Sequence, residues 1–373
     1  MDKSKWEYKK LGEVCTMYQP KTISTQDLVD AGAYLVYGAN GVIGKYDKYN
    51  HEQSEILMTC RGATCGTINI SEPFSWINGN AMVIHPTNND YVRDFLVYQL
   101  KAVDKSSVIT GAAQPQITRQ MLQTLPVVLA PIEDQQRIVS ELDCLNEMIA
   151  VKQEQLKEFD KLAQSIFYDM FGDPMENING WKSDILANVV SADCSISYGI
   201  VQPGDDVEFG VPVVRPVDLT SNIVFRKGLK VVDKSISDSY KRTILKGNEI
   251  LFCVRGTTGI MSLASEELEG CNVTRGITPL SFSNKVDKTY IFHLLATPYL
   301  QNIIAEKTNG IALKQINMRD VRLLPILLPP LELQQQFADK ISAIEAQKEL
   351  VKQSIAETQQ LLDYTMEKYF GYD

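Results

Sequence analysis

Beyond Pro131 the chain settles into a helical rhythm. Apolar residues fall at Ile138, Leu142, Leu145, Ile149, Leu156, Phe159, Ala163, Ile166 and Met170, in steps of four and three, with Lys152 the one seam position that breaks the stripe. This spacing predicts a coiled-coil helix over residues 131–172, opened by a proline suited to a first turn and stopped at Gly172. The pattern returns at Phe337, Ile341, Ile344, Val351, Ile355 and Leu362, weakened by Lys348, Thr358 and Thr365, and stops at Gly371. At 1.5 Å per residue, each helix of about 38 residues is roughly 57 Å long. Two such stripes predict two long helices that bury them on one another. The first helix leads from one globular part to the next, so the second is expected to return antiparallel to it.

The remaining sequence alternates differently. Glu55 to Asn69 and Glu249 to Leu263 each read as strand, glycine-bearing turn and strand, whereas Tyr91 to Val103 and Thr289 to Ile304 carry helical periodicity. The stretch YGANGVIG (37–44) sets turn glycines between short apolar runs. These signals predict an α+β fold rather than a doubly wound sheet.

The chain also repeats itself. Trp6 in WEYKKLGEV pairs with Trp181 in WKSDILANV, and ILMTCRG (56–62) pairs with ILFCVRG (250–256). Gly111, Gln116 and Ile117 pair with Gly310, Gln315 and Ile316, and PVVLAPIEDQQRI (126–138) pairs with PILLPPLELQQQF (325–337). The offset grows from 175 to 199 and then holds, so the second copy carries its insertions early. The expected architecture is two pseudo-repeated globular domains, 1–130 and 173–330, with helices at 131–172 and 331–373 and approximate twofold symmetry.

A net charge of -9 suggests a poor nucleic-acid binder, but its distribution matters more than its sum. Residues 1–130 hold 12 basic and 12 acidic side chains and residues 173–330 hold 17 of each, whereas 131–172 hold 4 and 9 and 331–373 hold 4 and 8. The whole excess sits on the predicted helices, whose acidic faces either meet solvent or receive other subunits. Seven irregularly spaced cysteines and three scattered histidines give no zinc motif and read as reduced thiols packed as small hydrophobes. The opening MDKSKWEYKK lacks the apolar region of a signal peptide and no apolar run reaches membrane-spanning length. The expectation is a cytoplasmic protein with no membrane partner.

Catalytic signatures are missing. There is no Walker A sequence, HExxH, GxSxG or dinucleotide fingerprint, and Gly172-Asp173-Pro174-Met175 shares only one proline with the Asn/Asp-Pro-Pro-aromatic segment of amino-methyltransferases. Three repeated segments carry candidate binding chemistry instead. The first is the turn with Arg61, Gly62 and Thr64 and its partner with Arg255, Gly256, Thr257 and Thr258. Its arginine fork suits a guanine edge or a phosphate, and its glycines would admit backbone N–H groups to an anion; the alternative is a structural turn. The second segment holds Gln116 and Arg119, matched by Lys314, Gln315, Asn317 and Arg319, with donors and acceptors for base edges or phosphate; Ile117 and Ile316 are expected in the core. The third pairs Asn78 and Asn80 with Arg275, where the asparagines also suit plain turns.

Taken with YGANGVIG, the RGxxCG turn and the LPxxLxPxExQQ phrase that leads into each long helix, the two copies resemble the specificity subunit of type I restriction-modification systems over essentially the whole chain. The second copy departs from the pattern, since YGANGVIG has no clear counterpart around VPVVRPVDLTSN (211–222) and WKSDILANV lacks the LGE. The resemblance implies a non-catalytic chain with two target-recognition domains, each reading one half of a split site in double-stranded DNA, and helices that set the unread spacer. It also implies two methyltransferase subunits docked beside the helices, and motor-nuclease subunits in the full complex. No cofactor is expected on this chain; S-adenosylmethionine, ATP and Mg2+ belong to the partners. With neutral domains, weak and salt-sensitive DNA binding is expected of the chain alone. Two rivals stand beside this reading: a dumb-bell adaptor for protein partners, which an apolar patch at the loops would favour, and an enzyme with a dispersed active site.

Overall fold

The computed structural model describes residues 3–88, 90–111, 113–310 and 314–371. They form two compact units, one made of the described residues up to Glu154 together with those from Lys352 onward, the other of Gln155–Val351. Both long helices therefore contribute to both units: the first spans Ile132–Phe171 and the second Leu331–Phe370.

Each unit is α+β and is built on the same plan. In the first, the apolar run Ile56–Thr59, buried along its whole length, is central to an antiparallel sheet ordered Cys15–Tyr18, Ala81–Pro86, Ile56–Thr59, Ile68–Ile70. A second sheet places Tyr34–Gly38 between Gly41–Tyr46, antiparallel, and Trp76–Ile77, parallel. A ribbon of Glu7–Lys10 with Pro126–Leu129 leads into the first long helix. The second unit matches these with Ile250–Cys253 between Met261–Ala264 and Ile277–Leu280, and with a ribbon of Lys182–Ile185 and Pro325–Leu328.

Two expectations need correcting. The YGANGVIG strand does have a counterpart: Val211–Val214 pairs antiparallel with Lys230–Val232 and parallel with Asn272–Val273, as Tyr34–Gly38 does with its own neighbours. What differs is the connection, a tight turn at 39–40 in one unit and an excursion over 215–229 in the other. The helix expected over 289–304 is two helices, Lys288–Ala296 and Pro298–Lys307. Pro298 has no N–H to continue the first, and the Thr297 hydroxyl accepts from Leu300 N–H to start the second.

Within the first unit Ile138, Leu142, Leu145 and Ile149 join one core with Leu362, Tyr369 and Phe370. Lys152 meets Thr358 and Glu141 meets Tyr369, so the two segments run antiparallel. In the second unit Phe167 and Phe171 pack on Phe337, and Asp160 meets Lys348 in the same sense. Here Phe167 and Phe171 are buried where the stripe placed Ile166 and Met170, because Tyr290 of the globular part stacks on Phe167 and widens the buried side. The seam's polar breaks are paired: Lys152 Nζ donates to Thr358 Oγ1 at 2.7 Å, and the buried Lys348 Nζ donates to Asp160 and Glu345.

The doubled phrase has a structural reason. Gln135 and Gln334, the first glutamines of the two QQ runs, are 0% and 1% exposed. Gln135 Oε1 accepts from Val92 N–H at 2.8 Å while its amide donates to the Ala130 and Asp90 carbonyls. Gln334 Oε1 accepts from Asp287 N–H at 2.9 Å while its amide donates to the Pro329 carbonyl. Each glutamine thereby ties the start of a long helix to the residue preceding a globular helix, Arg93–Ala102 or Lys288–Ala296. Tyr91 and Tyr290 add the same bond in both units, from hydroxyl to the Val128 and Leu327 carbonyls.

Leucine at 135 or 334 leaves a buried N–H and a buried carbonyl unpaired, so each substitution should destabilise its own unit by roughly 1–3 kcal/mol. Amide exchange in the adjoining helix measures this, and protection unchanged within about 0.5 kcal/mol would contradict the role. A second expectation concerns His293, which packs edge-on against Phe337 and faces Asp160, Glu345 and Lys348. Burial lowers its pKa to about 4, so the folded unit holds a neutral ring. Stability is complete above the unfolded value near 6.5 and is lost as pH falls toward 4, by up to about 3 kcal/mol. Acid titration of His293→Gln against wild type should show that much less loss over this window.

Candidate functional site

The three repeated segments, distant in sequence, come together in each unit through backbone hydrogen bonds. Ile117 N–H donates to the Cys60 carbonyl at 2.9 Å and Gly62 N–H to the Pro115 carbonyl at 3.0 Å, which sets Arg61 opposite Gln116 in an antiparallel bridge. The second unit repeats both bonds: Ile316 N–H donates to Val254 at 3.0 Å, Gly256 N–H to Lys314 at 2.9 Å, and Arg255 lies opposite Gln315. From the other side Cys60 N–H donates to the Asn80 carbonyl and Val254 N–H to the Gly276 carbonyl. Residues facing each other in such a bridge carry their Cβ atoms about 5 Å apart, so each arginine and its glutamine stand side by side.

The turn is held by glycine. Gly62, Gly66, Gly256 and Gly259 have φ of 89°, 89°, 90° and 89°, in the left-handed region. A Cβ at Gly62 or Gly256 would meet nothing within 4 Å, so backbone conformation rather than space requires glycine there. The N–H groups of these four glycines are spent within the fold and are not themselves offered to an anion. Gly62 and Gly256 donate to Pro115 and Lys314, and Gly66 and Gly259 donate to the Thr59 and Cys253 carbonyls.

Side chains of the three segments are available. Among the described residues Arg61, Asn80, Gln116, Arg119, Arg275, Lys314, Asn317 and Arg319 have no side-chain hydrogen bond or ion pair. Arg255 is likewise without a partner and is half-buried, whereas Arg61 is exposed. Thr64 and Thr257 are exposed on the turn, and Thr258 accepts from the Thr308 hydroxyl at 3.1 Å. Ile117 and Ile316 are buried core anchors. Asn78 is otherwise placed: it is buried, and its side-chain oxygen accepts from Ile23 N–H and from the Trp76 indole, so it holds the turn together. Ala112, Ile311, Ala312 and Leu313 of the second segment lie outside the described residues.

Sequence reasoning missed Tyr198, whose hydroxyl accepts from the Gln315 amide at 3.0 Å and fixes that side chain beside Arg255. Nothing local marks it, because the two residues are far apart in sequence. The side chains that the bridges bring together at both turns are polar or cationic, Arg61 with Gln116 and Arg255 with Gln315. Among the described residues no group of His, Cys, Asp and Glu could hold a metal ion, and no helix is long and apolar enough to cross a membrane. All seven cysteines are free thiols.

Comparison with known proteins bears on the whole chain. The family model for the type I restriction modification DNA specificity domain matches residues 3–159 and again 202–360. The chain is 26% identical over 176 residues to the type I restriction enzyme EcoBI specificity subunit of Escherichia coli, an alignment covering 47% of this chain and 37% of that protein. A putative type I restriction enzyme MjaX specificity subunit of Methanocaldococcus jannaschii is 22% identical, with 71% of this chain and 64% of that one aligned. The MjaVIII specificity subunit of the same organism is 19% identical over 91% of this chain and 86% of its own length. Thus the chain spans about one to two thirds of the first two of these relatives. Among solved structures, an S subunit of a type I restriction-modification system from M. genitalium superposes with a TM-score of 0.58 at 14% identity, covering 99% of this chain and 96% of that one, a likeness of fold.

From the φ of the turn glycines alone, alanine at 62 or 256 should cost about 1–2 kcal/mol. The loss should appear as faster amide exchange at Ile117 or Ile316, the bonds the turn supports, and unaltered exchange would mean that the turn tolerates a side chain. With the same three-segment junction built twice and the family model matched twice, the chain belongs to the type I restriction modification DNA specificity domain family.

Proposed function

We propose that this chain is the DNA-recognition subunit of a type I restriction-modification complex, each unit reading one half of a bipartite site in double-stranded DNA. The observation that carries this reading is the junction itself. In both units an arginine without a partner stands beside a glutamine, on a turn whose glycine N–H groups are committed to the fold. Arginine can take two acceptors on a guanine edge, and glutamine can pair with adenine in the same groove. Arg119, Lys314 and Arg319 add cations without partners that suit phosphates, which position a reader without specifying sequence.

The chain itself does no chemistry in this reading. Methyltransferase subunits dock beside the long helices and bring S-adenosylmethionine, and motor-nuclease subunits bring ATP and Mg2+. The helices, 40 residues each and so about 60 Å long, set how many base pairs lie unread between the two halves. That length exceeds one turn of duplex, about 34–36 Å, so two readers can address separate turns. The complex works in the cytoplasm, where host DNA is available for methylation.

The test is to express the chain with the methyltransferase subunits of its own system and map methylated adenines across the host genome. A split motif, two short defined halves around a fixed run of any base, is the expected result; a stable complex that leaves no new methylation would contradict the reading. Arg61→Ala should then relax one half of the motif and Arg255→Ala the other, each by about 1–3 kcal/mol if the arginine pairs with a base. A uniform weakening across sequences would instead assign that arginine to phosphate.

A further inference from the structure

The second unit carries an arm that the first does not. Between Lys230–Val232 and Ile250–Cys253 the chain forms a short helix at Lys234–Asp238 and a turn at Lys241–Thr243. Beside the turn lies a cleft of about 500 Å³, lined by Ser197, Tyr198 and the run 238–243. Lys241 and Arg242 are exposed in it and, among the described residues, their side chains make no hydrogen bond or ion pair. Asp238 is the acidic group in the lining.

This arm is rigidly joined to the recognition junction. Asn272, fully buried, accepts from the Thr243 hydroxyl at 2.7 Å and donates to Ser237 Oγ at 3.0 Å and to the Tyr240 carbonyl at 3.3 Å. Two residues on are Thr274, Arg275 and Gly276, the junction's third segment. In the first unit Trp76 has the strand position of Asn272, since it pairs with Val36 as Asn272 pairs with Val213, and the matching connection over 47–55 forms no helix. The opposite wall is as firmly held. Ile196, β-branched and buried, has φ of +36°, a strained conformation that persists only where its surroundings impose it. The Arg322 guanidinium donates to the Ile196 carbonyl at 2.7 Å, and Tyr198, two residues on, binds Gln315. A buried polar hub on one side and a strained, clamped backbone on the other therefore hold a basic cleft whose wall, at Tyr198, binds Gln315 of the junction.

We propose that this cleft takes the sugar-phosphate backbone of the duplex flanking the half-site read by the second unit, with Lys241 and Arg242 as its phosphate ligands and Asn272 as the positioning residue. The proposal rests on the DNA-recognition reading and adds to it an asymmetry: the second unit gains a backbone clamp that the first lacks. A compact cationic pair in a concave wall beside a base-reading arginine suits a phosphodiester, which fixes register and carries no sequence information.

The test is a salt titration of the full chain on a fluorescent random-sequence duplex, starting at low salt. Lys241→Ala with Arg242→Ala should lower affinity on the order of tenfold and reduce the slope of log affinity against log salt by roughly two, about 0.9 for each phosphate that no longer meets a cation. Thr243→Val, which removes a bond to Asn272 and leaves both cations in place, should give a smaller loss of the same kind. Lys182→Ala with Lys285→Ala removes equal charge elsewhere on the unit and should leave the slope unchanged. With the double variant in the methyltransferase complex, the methylated motif should be unchanged in sequence. Wild-type slope and affinity in the double variant would overturn this proposal while leaving DNA recognition standing, as would an equal loss in the charge control or tighter binding of single-stranded RNA than of duplex. Absence of duplex binding by the wild-type chain and of methylation by its complex would remove the recognition reading, and this proposal with it.

Discussion

A buried glutamine decides how each unit of this protein is joined to its long helix. Gln135 and Gln334 lie where a helix start, a ribbon and a globular helix meet, a place with several backbone groups and no water. An apolar residue there would leave N–H and carbonyl groups unpaired in the interior, at a cost of about 1–3 kcal/mol. A charged one would bring a desolvation penalty of its own. A neutral amide answers donor and acceptor at once, with geometry strict enough to fix the angle at which the helix leaves the globular part. Everything beyond it inherits that angle, including the position of the helix seam relative to the recognition junction of the same unit.

The junctions follow a similar economy. Backbone hydrogen bonds between the RGxxG turn, the Gln-Ile segment and the third segment are reproduced in both units almost bond for bond, although Cys60, Pro115 and Asn80 are replaced by Val254, Lys314 and Gly276. Main-chain pairing is indifferent to side-chain identity, so the scaffold can persist while its exposed residues change. Such a division suits a protein that must present different chemistry from one frame. It also explains why glycine recurs at 62, 66, 256 and 259 with nearly equal φ, while the residues between them differ in number and kind. The frame constrains conformation at a few points and leaves the rest free.

Much of this was legible in the sequence because the signals were local or repeated. The α+β class, the doubled unit and the antiparallel helices came from periodicity and from matched phrases, and the family resemblance came with them. The details that escaped were those set by tertiary contact. Phe167 replaces Ile166 on the buried side because Tyr290 reaches it from another element. Val211–Val214 takes the place of Tyr34–Gly38 although the motif around it has been interrupted, since strand pairing needs only apolar residues of the right period. Asn78 looked like a binding residue because amides serve recognition and turns equally well, and only its burial assigns it to the turn. Tyr198 and Asn272 had no local signature, their partners lying far along the chain.

The charge distribution acquires a meaning once partners are assigned to individual groups. A neutral domain can still present a locally positive surface where its acids are engaged elsewhere in the fold and its bases are not. In the second unit Asp218 is paired to Arg215, Asp233 caps a helix, Glu249 accepts from the Lys246 and Asn248 amides, and Asp287 caps another helix. Arg255, Lys314, Arg319, Lys241 and Arg242 have no such employment. Carboxylates accept from backbone N–H groups and are absorbed into turns and helix starts, whereas these five cations are not drawn onto the backbone as Arg322 is. At these places carboxylates are drawn onto the fold while the cations of the junction and the arm stay unpaired, without any excess of base in the composition. Such a field is local and short-ranged, screened within about 10 Å at 0.1 M salt, so under the proposed function it would favour contact with a duplex already positioned by partners over capture from a distance.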